Sequence, residues 1–262
     1  MRWQHGHVRR ASDTIASEVP IALRYNDVAH VVMMATPLDL EDFAVGFSLS
    51  EAIVNSPGDI EHIEIRNLLE GIEIAMRIPE SLAKAIAARS RNLTGRSSCG
   101  LCGTQELADV VRHPSPVASG LRIYGDAVLR SFATLESVQP LNAATGAIHA
   151  AAWSDCEGNL IAVREDVGRH NALDKLIGAM ATPHVDPAQG FCAITSRASY
   201  EMVQKAATVG ITLLAAISAP TALAIHLAEA TGITLIGFAR SPGFVVYANG
   251  QRIVGIETGA LP

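Results

Sequence analysis

From Ala147 onward, short apolar runs alternate with helix-length amphipathic segments, and this alternation constrains the fold more than any other feature of the chain. Ala147–Trp153 and Asn159–Val163 read as a strand pair around the turn Glu157-Gly158. The series continues with a helix at Asn171–Met180, a strand at Phe191–Thr195 and a helix at Tyr200–Thr208. A strand at Ile211–Ile217, a helix at Pro220–Ala230 and a strand at Ile233–Phe238 follow. Strands and helices in turn predict an α/β fold with a mostly parallel sheet and helices against it. The composition fits, because 49% of residues are hydrophobic but only 5% aromatic, so buried strands of Ala, Val, Ile and Leu must supply the core. The tail, Phe244–Ala248, Asn249-Gly250 and Gln251–Gly255, predicts a closing hairpin with a type I′ turn.

The first 95 residues read differently, as a small α+β subdomain before an α/β core over 96–262. Ile21–Tyr25 and Val28–Met34 flank Asn26-Asp27, a hairpin signal. Thr36 and Pro37 carry a helix-start signal, with Leu40, Phe43, Ala44, Phe47 and Ile53 on one face. Ile60–Ile65 and Ile72–Ile78 predict two further strands, and a short helix is expected near Ser81–Ala88. A polar connector, Arg89–Ser98, leads to Cys99, followed by a helix at Thr104–Val111 and a loop at His113–Gly120. The net charge of −6 argues against a nucleic-acid partner, which calls for a clustered basic surface. Ile211–Ile217 is too short to span a bilayer, and no basic segment followed by an apolar stretch opens the chain, so a cytoplasmic protein away from the membrane is expected.

In a parallel sheet the loops after the strands share one edge, and ligands bind there. Those loops hold Arg164–Asn171, Ser196–Ser199, Ser218–Thr221 and Phe238–Gly243. The first three run into helix N-termini, where free N–H groups and the dipole favour anions. Arg164, Arg169, Arg197 and Arg240 add planar forks suited to phosphate. Any one of these residues is more often a cap or a solvated charge. Their coincidence on one edge predicts a site for a phosphate-bearing ligand.

Ser98-Cys99-Gly100-Leu101-Cys102-Gly103 is the sharpest local signal. A CxxC turn sets two sulfurs within reach of each other, and the nearby Arg96 favours a thiolate. Such a thiolate can carry sulfur as a persulfide or exchange disulfides. Structural zinc needs four ligands, and a second CxxC is absent, so His113, His149, Cys156, Cys192 or another subunit would have to complete the set. Spacing alone leaves redox, sulfur and zinc chemistry open. Cys156 and Cys192 read as packing residues, and His149 as a core histidine. His170 stands at a helix start among charges, where it serves either function or capping.

Arg96–Gly103, Arg164–Lys175 (REDVGRHNALDK), Arg197–Ala206 (RASYEMVQKA) and Ile236–Arg240 (IGFAR) together resemble the formate dehydrogenase accessory sulfurtransferases, the FdhD/NarQ family. Met33–Glu51 and Ser218–Leu227 extend the resemblance over nearly the whole chain. It implies a cytidine-deaminase-like mixed sheet with flanking helices, carrying the CxxC loop and the cofactor site, in a homodimer. The resemblance further implies that sulfur is taken from a cysteine desulfurase and handed to the Mo-bis(molybdopterin guanine dinucleotide) cofactor of formate dehydrogenase. On this reading Cys99 carries the persulfide and Cys102 assists. Phe238, Ala239, Arg240, Ser241, Pro242 and Gly243 fall where the family binds the guanine dinucleotide, and Arg169, His170, Arg197 and Ser199 complete that site. No metal and no permanently bound cofactor are expected. The alternative is a cofactor-binding chaperone without covalent sulfur transfer. A zinc deaminase is disfavoured, because His149-Ala150-Ala151 lacks the glutamate of His-x-Glu and the cysteines precede the histidine.

Overall fold

A computed structural model describes residues 1–90, 114–181 and 185–255. The chain opens with an exposed hairpin, β1 (Arg2–Gln4) and β2 (His7–Arg9). Strands β3 (Val19–Tyr25) and β4 (Val28–Ala35) follow as the expected hairpin. Asn26 and Asp27 between them have φ of 46° and 66°, the two left-handed residues that a type I′ turn requires. The Asn26 amide group both donates to the Ile78 carbonyl and accepts from the Ile78 N–H, each at 2.9 Å, so the turn is fixed to the sheet.

Helix α1 (Leu40–Ser50) begins four residues after the Thr36-Pro37 signal, behind Asp39 in the left-handed region at φ 52°. The later start corrects the sequence expectation. Thr36 cannot cap a helix there because its N–H donates to Asp166 and its hydroxyl accepts from Val167 N. After α1 come β5 (His62–Leu68), β6 (Gly71–Arg77) and α2 (Glu80–Ser90). The four strands form a sheet in the order β4-β3-β6-β5, with β3 and β6 parallel. Its buried face, Ile21, Leu23, Tyr25, Ile74 and Met76, meets Phe43, Ala44 and Phe47 of α1 and Ile86 of α2.

Residues 121–146 hold elements that the sequence pattern did not predict: β7 (Ile123–Tyr124), α3 (Gly125–Ser137) and α4 (Pro140–Thr145). The larger sheet then uses β8 (His149–Asp155), β9 (Leu160–Asp166), β10 (Gly190–Ile194), β11 (Leu213–Ala216), β12 (Thr234–Arg240) and β13 (Gly243–Ala248). Its order is β13-β12-β11-β10-β8-β9. Helices α5 (Arg169–Ala181), α6 (Tyr200–Thr208) and α7 (Ala222–Thr231) connect β9 to β12. The sheet is mixed, as the resemblance implied, rather than mostly parallel. Only β10–β11 and β11–β12 pair in parallel, because β8 lies between β9 and β10 and antiparallel to both. The Glu157-Gly158 turn sends β9 to the sheet edge, so α5 must cross over β8 to reach β10. Even so, β9, β10, β11 and β12 all run the same way.

Alternation along the central strands separates two cores. Ala151, Trp153, Cys192, Ile194, Leu214, Ala216 and Leu235 face α5, α6 and α7. Ala150, Ala152, Phe191, Ala193, Leu213, Ala215 and Ile236 face Val128, Phe132 and Leu135 of α3. Burial of both faces explains why these strands read as continuous apolar runs.

The predicted closing hairpin over Asn249-Gly250 does not form. Asn249 takes φ 49°, a single 3-10 turn spans Gly250–Arg252, and β14 (Ile253–Val254) pairs in parallel with β7. Side chains redirect the chain: Asn249 Nδ2 donates to the carbonyls of Ala228 and Ile233, and buried Arg252 donates to those of Gly232 and Ala118. The hairpin at this end joins β12 and β13 instead, across a cis Ser241-Pro242 bond.

Helices α1 and α5 join the two sheets backbone to backbone. A Cβ on Gly46 would stand 1.7 Å from the Asp174 carbonyl oxygen, and one on Gly178 would stand 1.9 Å from that of Asp42. Around this contact Lys205 Nζ lies 2.9 Å from Asp174 Oδ1 and 2.8 Å from Glu51 Oε1, and Ser50 Oγ donates to Asp174 at 2.6 Å. Buried charges persist when paired and hydrogen-bonded in this way.

Candidate functional site: the edge where four strands end

Because β9, β10, β11 and β12 share a direction, their C-terminal ends fall on one edge, as the loop pattern predicted. The N-terminal end of β8 joins them, since His149 pairs with Asp166. The loops lie side by side: Ile217 N donates to Ile194 O, Thr221 N to Ala198 O at 3.1 Å, and Phe238 N to Ser218 O at 3.3 Å. Gly237 makes the last approach possible, since a Cβ there would stand 2.9 Å from both Pro220 Cδ and Tyr247 Cε2. The next residue, Phe238, has φ 54° and is 39% exposed, so the chain presents an aromatic ring at the edge.

The charges at this edge are mainly cationic. Arg169 and His170 open α5, while Arg197 is exposed on a neighbouring loop and Arg240 is exposed at the end of β12. Arg169 Nε is buried and has no hydrogen-bond partner among the described residues. The same is true of Ser199 Oγ, which stands at the N-cap position of α6 without capping it. Thr221, in contrast, caps α7 through its side chain, which accepts from Ala224 N. His170 Nε2 lies 2.5 Å from Glu201 Oε2, a close approach without the angles of a hydrogen bond. His149 is half-buried beside them. Burial lowers its pKa, Arg169 and His170 lower it further, and the Thr195 backbone and Asp166 act against this. Donors buried without acceptors at a cationic edge can receive an anionic or carbonyl-bearing ligand.

Within REDVGRHNALDK the residues divide between structure and site. Arg164 turns away from the edge to Asp42 of α1, with Nε 2.7 Å from Oδ2, which corrects its expected place among the ligand-facing arginines. Glu165 accepts from Leu141 N and Asn142 N at the start of α4. Asp166 closes β9 and is fully buried, and Asp174 pairs with Lys205. Arg169 and His170 are the members of this segment at the edge.

Cys99, Cys102, Arg96 and His113 lie outside the described residues. Cys192 is fully buried in β10, and burial pushes its thiol pKa far up. Cys156 is half-buried and donates to Gln189 O at 3.5 Å, with its pKa raised by burial and by Glu157 and Asp155. Neither thiol is set up for nucleophilic chemistry. Sequence reasoning missed Glu201, because an acid in the first turn of a helix looks like an ordinary dipole partner. His149, read as a core histidine, is half-buried at the start of β8, where that strand reaches the edge. A shallow cavity of about 440 Å³, lined in part by Arg130, Thr134 and Gly158, lies at the opposite end of β9. Among the described residues no His, Cys, Asp or Glu cluster could hold a metal ion, and no helix is long and apolar enough to cross a membrane.

The FdhD/NarQ family model matches residues 16–254. The sulfur carrier protein FdhD of Xanthomonas campestris pv. campestris is 53% identical over 259 residues, spanning 98% of this chain and 92% of that protein. The sulfur carrier protein FdhD of Cupriavidus necator is 50% identical over 252 residues, spanning 96% of this chain and 88% of that one. The crystal structure of a protein assigned as a formate dehydrogenase accessory protein, from Desulfotalea psychrophila, superposes with a TM-score of 0.72 at 25% identity. That match covers 97% of this chain and 96% of the other.

Proposed function

The chain belongs to the FdhD/NarQ family, and from that premise we propose that it is a cytoplasmic, homodimeric sulfur carrier for formate dehydrogenase. In the first step the Cys99 thiolate attacks the outer sulfur of a persulfide on a cysteine desulfurase. The desulfurase S–S bond breaks, its cysteine leaves as thiolate, and Cys99 holds the outer sulfur as its own persulfide. Cys102, two residues on from Gly100, assists as a second thiol in the same turn. For delivery, the Cys102 thiolate attacks the Cys99 sulfur, the Cys99 persulfide S–S bond breaks, and a Cys99–Cys102 disulfide forms. The outer sulfur leaves as hydrosulfide to Mo-bis(molybdopterin guanine dinucleotide), which is the acceptor rather than a resident cofactor.

One observation carries the acceptor side of this reading. Arg169 Nε and Ser199 Oγ are buried donors without partners on the edge where α5 and α6 begin. Leaving such a group unsatisfied costs about 1–3 kcal/mol, which a ligand bearing acceptor oxygens removes. A guanine dinucleotide brings those oxygens in its diphosphate. Arg197 adds charge on a neighbouring loop and Arg240 at the end of β12, and Phe238, in the segment Phe238–Gly243, offers a ring for the base to stack on.

Intact and peptide mass spectrometry after incubation with a cysteine desulfurase and cysteine tests the sulfur step. The expected result is a reductant-labile gain of one sulfur on the Cys99 peptide, absent in Cys99→Ala. No added sulfur from an active desulfurase would overturn covalent transfer and leave a cofactor-binding chaperone.

A further inference from the structure

Thr36 lies in the connection between β4 and α1, far from the ligand edge in sequence and buried to 4% exposure. It reaches that edge through a compact set of hydrogen bonds. Its hydroxyl oxygen accepts from Val167 N at 3.1 Å, and its own N–H donates to Asp166 Oδ2 at 3.0 Å. Lys175 Nζ donates to the Thr36 carbonyl at 2.8 Å and lies 2.7 Å from Asp166 Oδ2. The other carboxylate oxygen of Asp166 accepts from Gly168 N at 2.8 Å and from Asn171 Nδ2 at 3.0 Å. Asn171 Nδ2 also donates to Met34 O at 2.8 Å, close to Thr36 in the chain. Val167 and Gly168 are the two residues between β9 and α5, so both amides of that turn are held. A side chain at position 168 would crowd this set, since a Cβ there would stand 2.7 Å from Asn171 Nδ2. Arg169 and His170 follow directly.

We infer that Thr36 is a positioning residue for nucleotide binding: by holding the Val167–Gly168 turn it aims Arg169 and His170 at the ligand. The inference rests on the reading of this edge as a guanine-nucleotide site. It makes the N-terminal sheet part of that site's construction without its touching the ligand. The Thr36 side chain contributes through a neutral hydroxyl, so it can be removed without stranding a buried charge. Thr36→Val keeps the branched shape and removes the acceptor for Val167 N. Thr36→Ser keeps the acceptor.

Calorimetric titration with GDP, alongside thermal unfolding, separates the outcomes. Thr36→Val should bind GDP about five-fold more weakly, the fold-change that one ordinary hydrogen bond corresponds to. Thr36→Ser should bind as the parent protein does. Equal binding by Thr36→Val and the parent would overturn the inference while leaving the nucleotide site standing. Absence of GDP binding by the parent protein would overturn both. If Thr36→Val does not fold, amide hydrogen exchange on the parent protein decides. GDP should slow exchange at Thr36 as well as at Val167, and an unchanged Thr36 amide would overturn the coupling.

Discussion

Arg169 combines a buried, unpartnered Nε with a position at the first residue of α5, which makes its guanidinium the most informative side chain at the edge. Arg169→Ala should weaken GDP binding at least ten-fold, in line with about 1.5–3 kcal/mol for a hydrogen bond to a charged group. Arg169→Lys should recover only part of this, because an ammonium lacks the planar fork. Titration of both variants checks the order. Arg169, His170, Arg197 and Ser199 were legible as site candidates because each stands just past a predicted strand. The nearness of Glu201 and His149 to them was not, since it arises across elements distant in sequence. Arg164 misled for the same reason. Its sequence neighbours suggested an anion loop, whereas Asp42, distant in sequence, takes its guanidinium.

At the scale of elements, the contact between α1 and α5 depends on Gly46 and Gly178, each facing a carbonyl of the other helix. Gly46→Ala should push the helices apart and lower stability by about 1–3 kcal/mol, the usual cost of overpacking. The melting temperature should fall by several degrees, at about 2–4 °C per kcal/mol for a chain near this size, and thermal unfolding measures it. Elements with strong local periodicity were readable: β3–β4, α1, α2, and the run from β8 to β12 all appear close to their expected places. Their ends were less readable, because tertiary partners set them. Thr36 is taken up by Asp166 and Val167, which delays α1. Asn249 is taken up by Ala228 and Ile233, which removes the predicted hairpin. The mixed order of the sheet was hidden too, since nothing local shows that β8 inserts between β9 and β10.

For the whole molecule, two buried groups at the junction of the sheets give stability a defined alkaline limit. Burial pushes the Tyr25 hydroxyl pKa well up, against the hydrogen bond with Ser48, and the Glu51 and Asp174 carboxylates add to the rise. Burial acts to lower the Lys205 pKa, but Asp174 and Glu51 outweigh it and hold it above the ordinary value. Both groups keep their protons in the fold at a pH where the unfolded chain releases them. Their contribution is therefore fully present below about pH 10 and is lost as pH rises beyond it. Tyr25→Phe should flatten the fall of unfolding free energy above pH 10 by up to about 1.4 kcal/mol per pH unit, measurable by denaturant titration across that range. The clamp between Thr36 and Asp166 spans 130 positions of sequence, and this sets an order for assembly during synthesis. The N-terminal sheet draws its strands from residues 19–77 and can complete itself early. The turn bearing Arg169 is secured only once Lys175 has left the ribosome and closed a long loop, a slow, non-local step. A half-made chain therefore lacks the held turn before Arg169, and the proposed ligand edge is completed only in the finished protein.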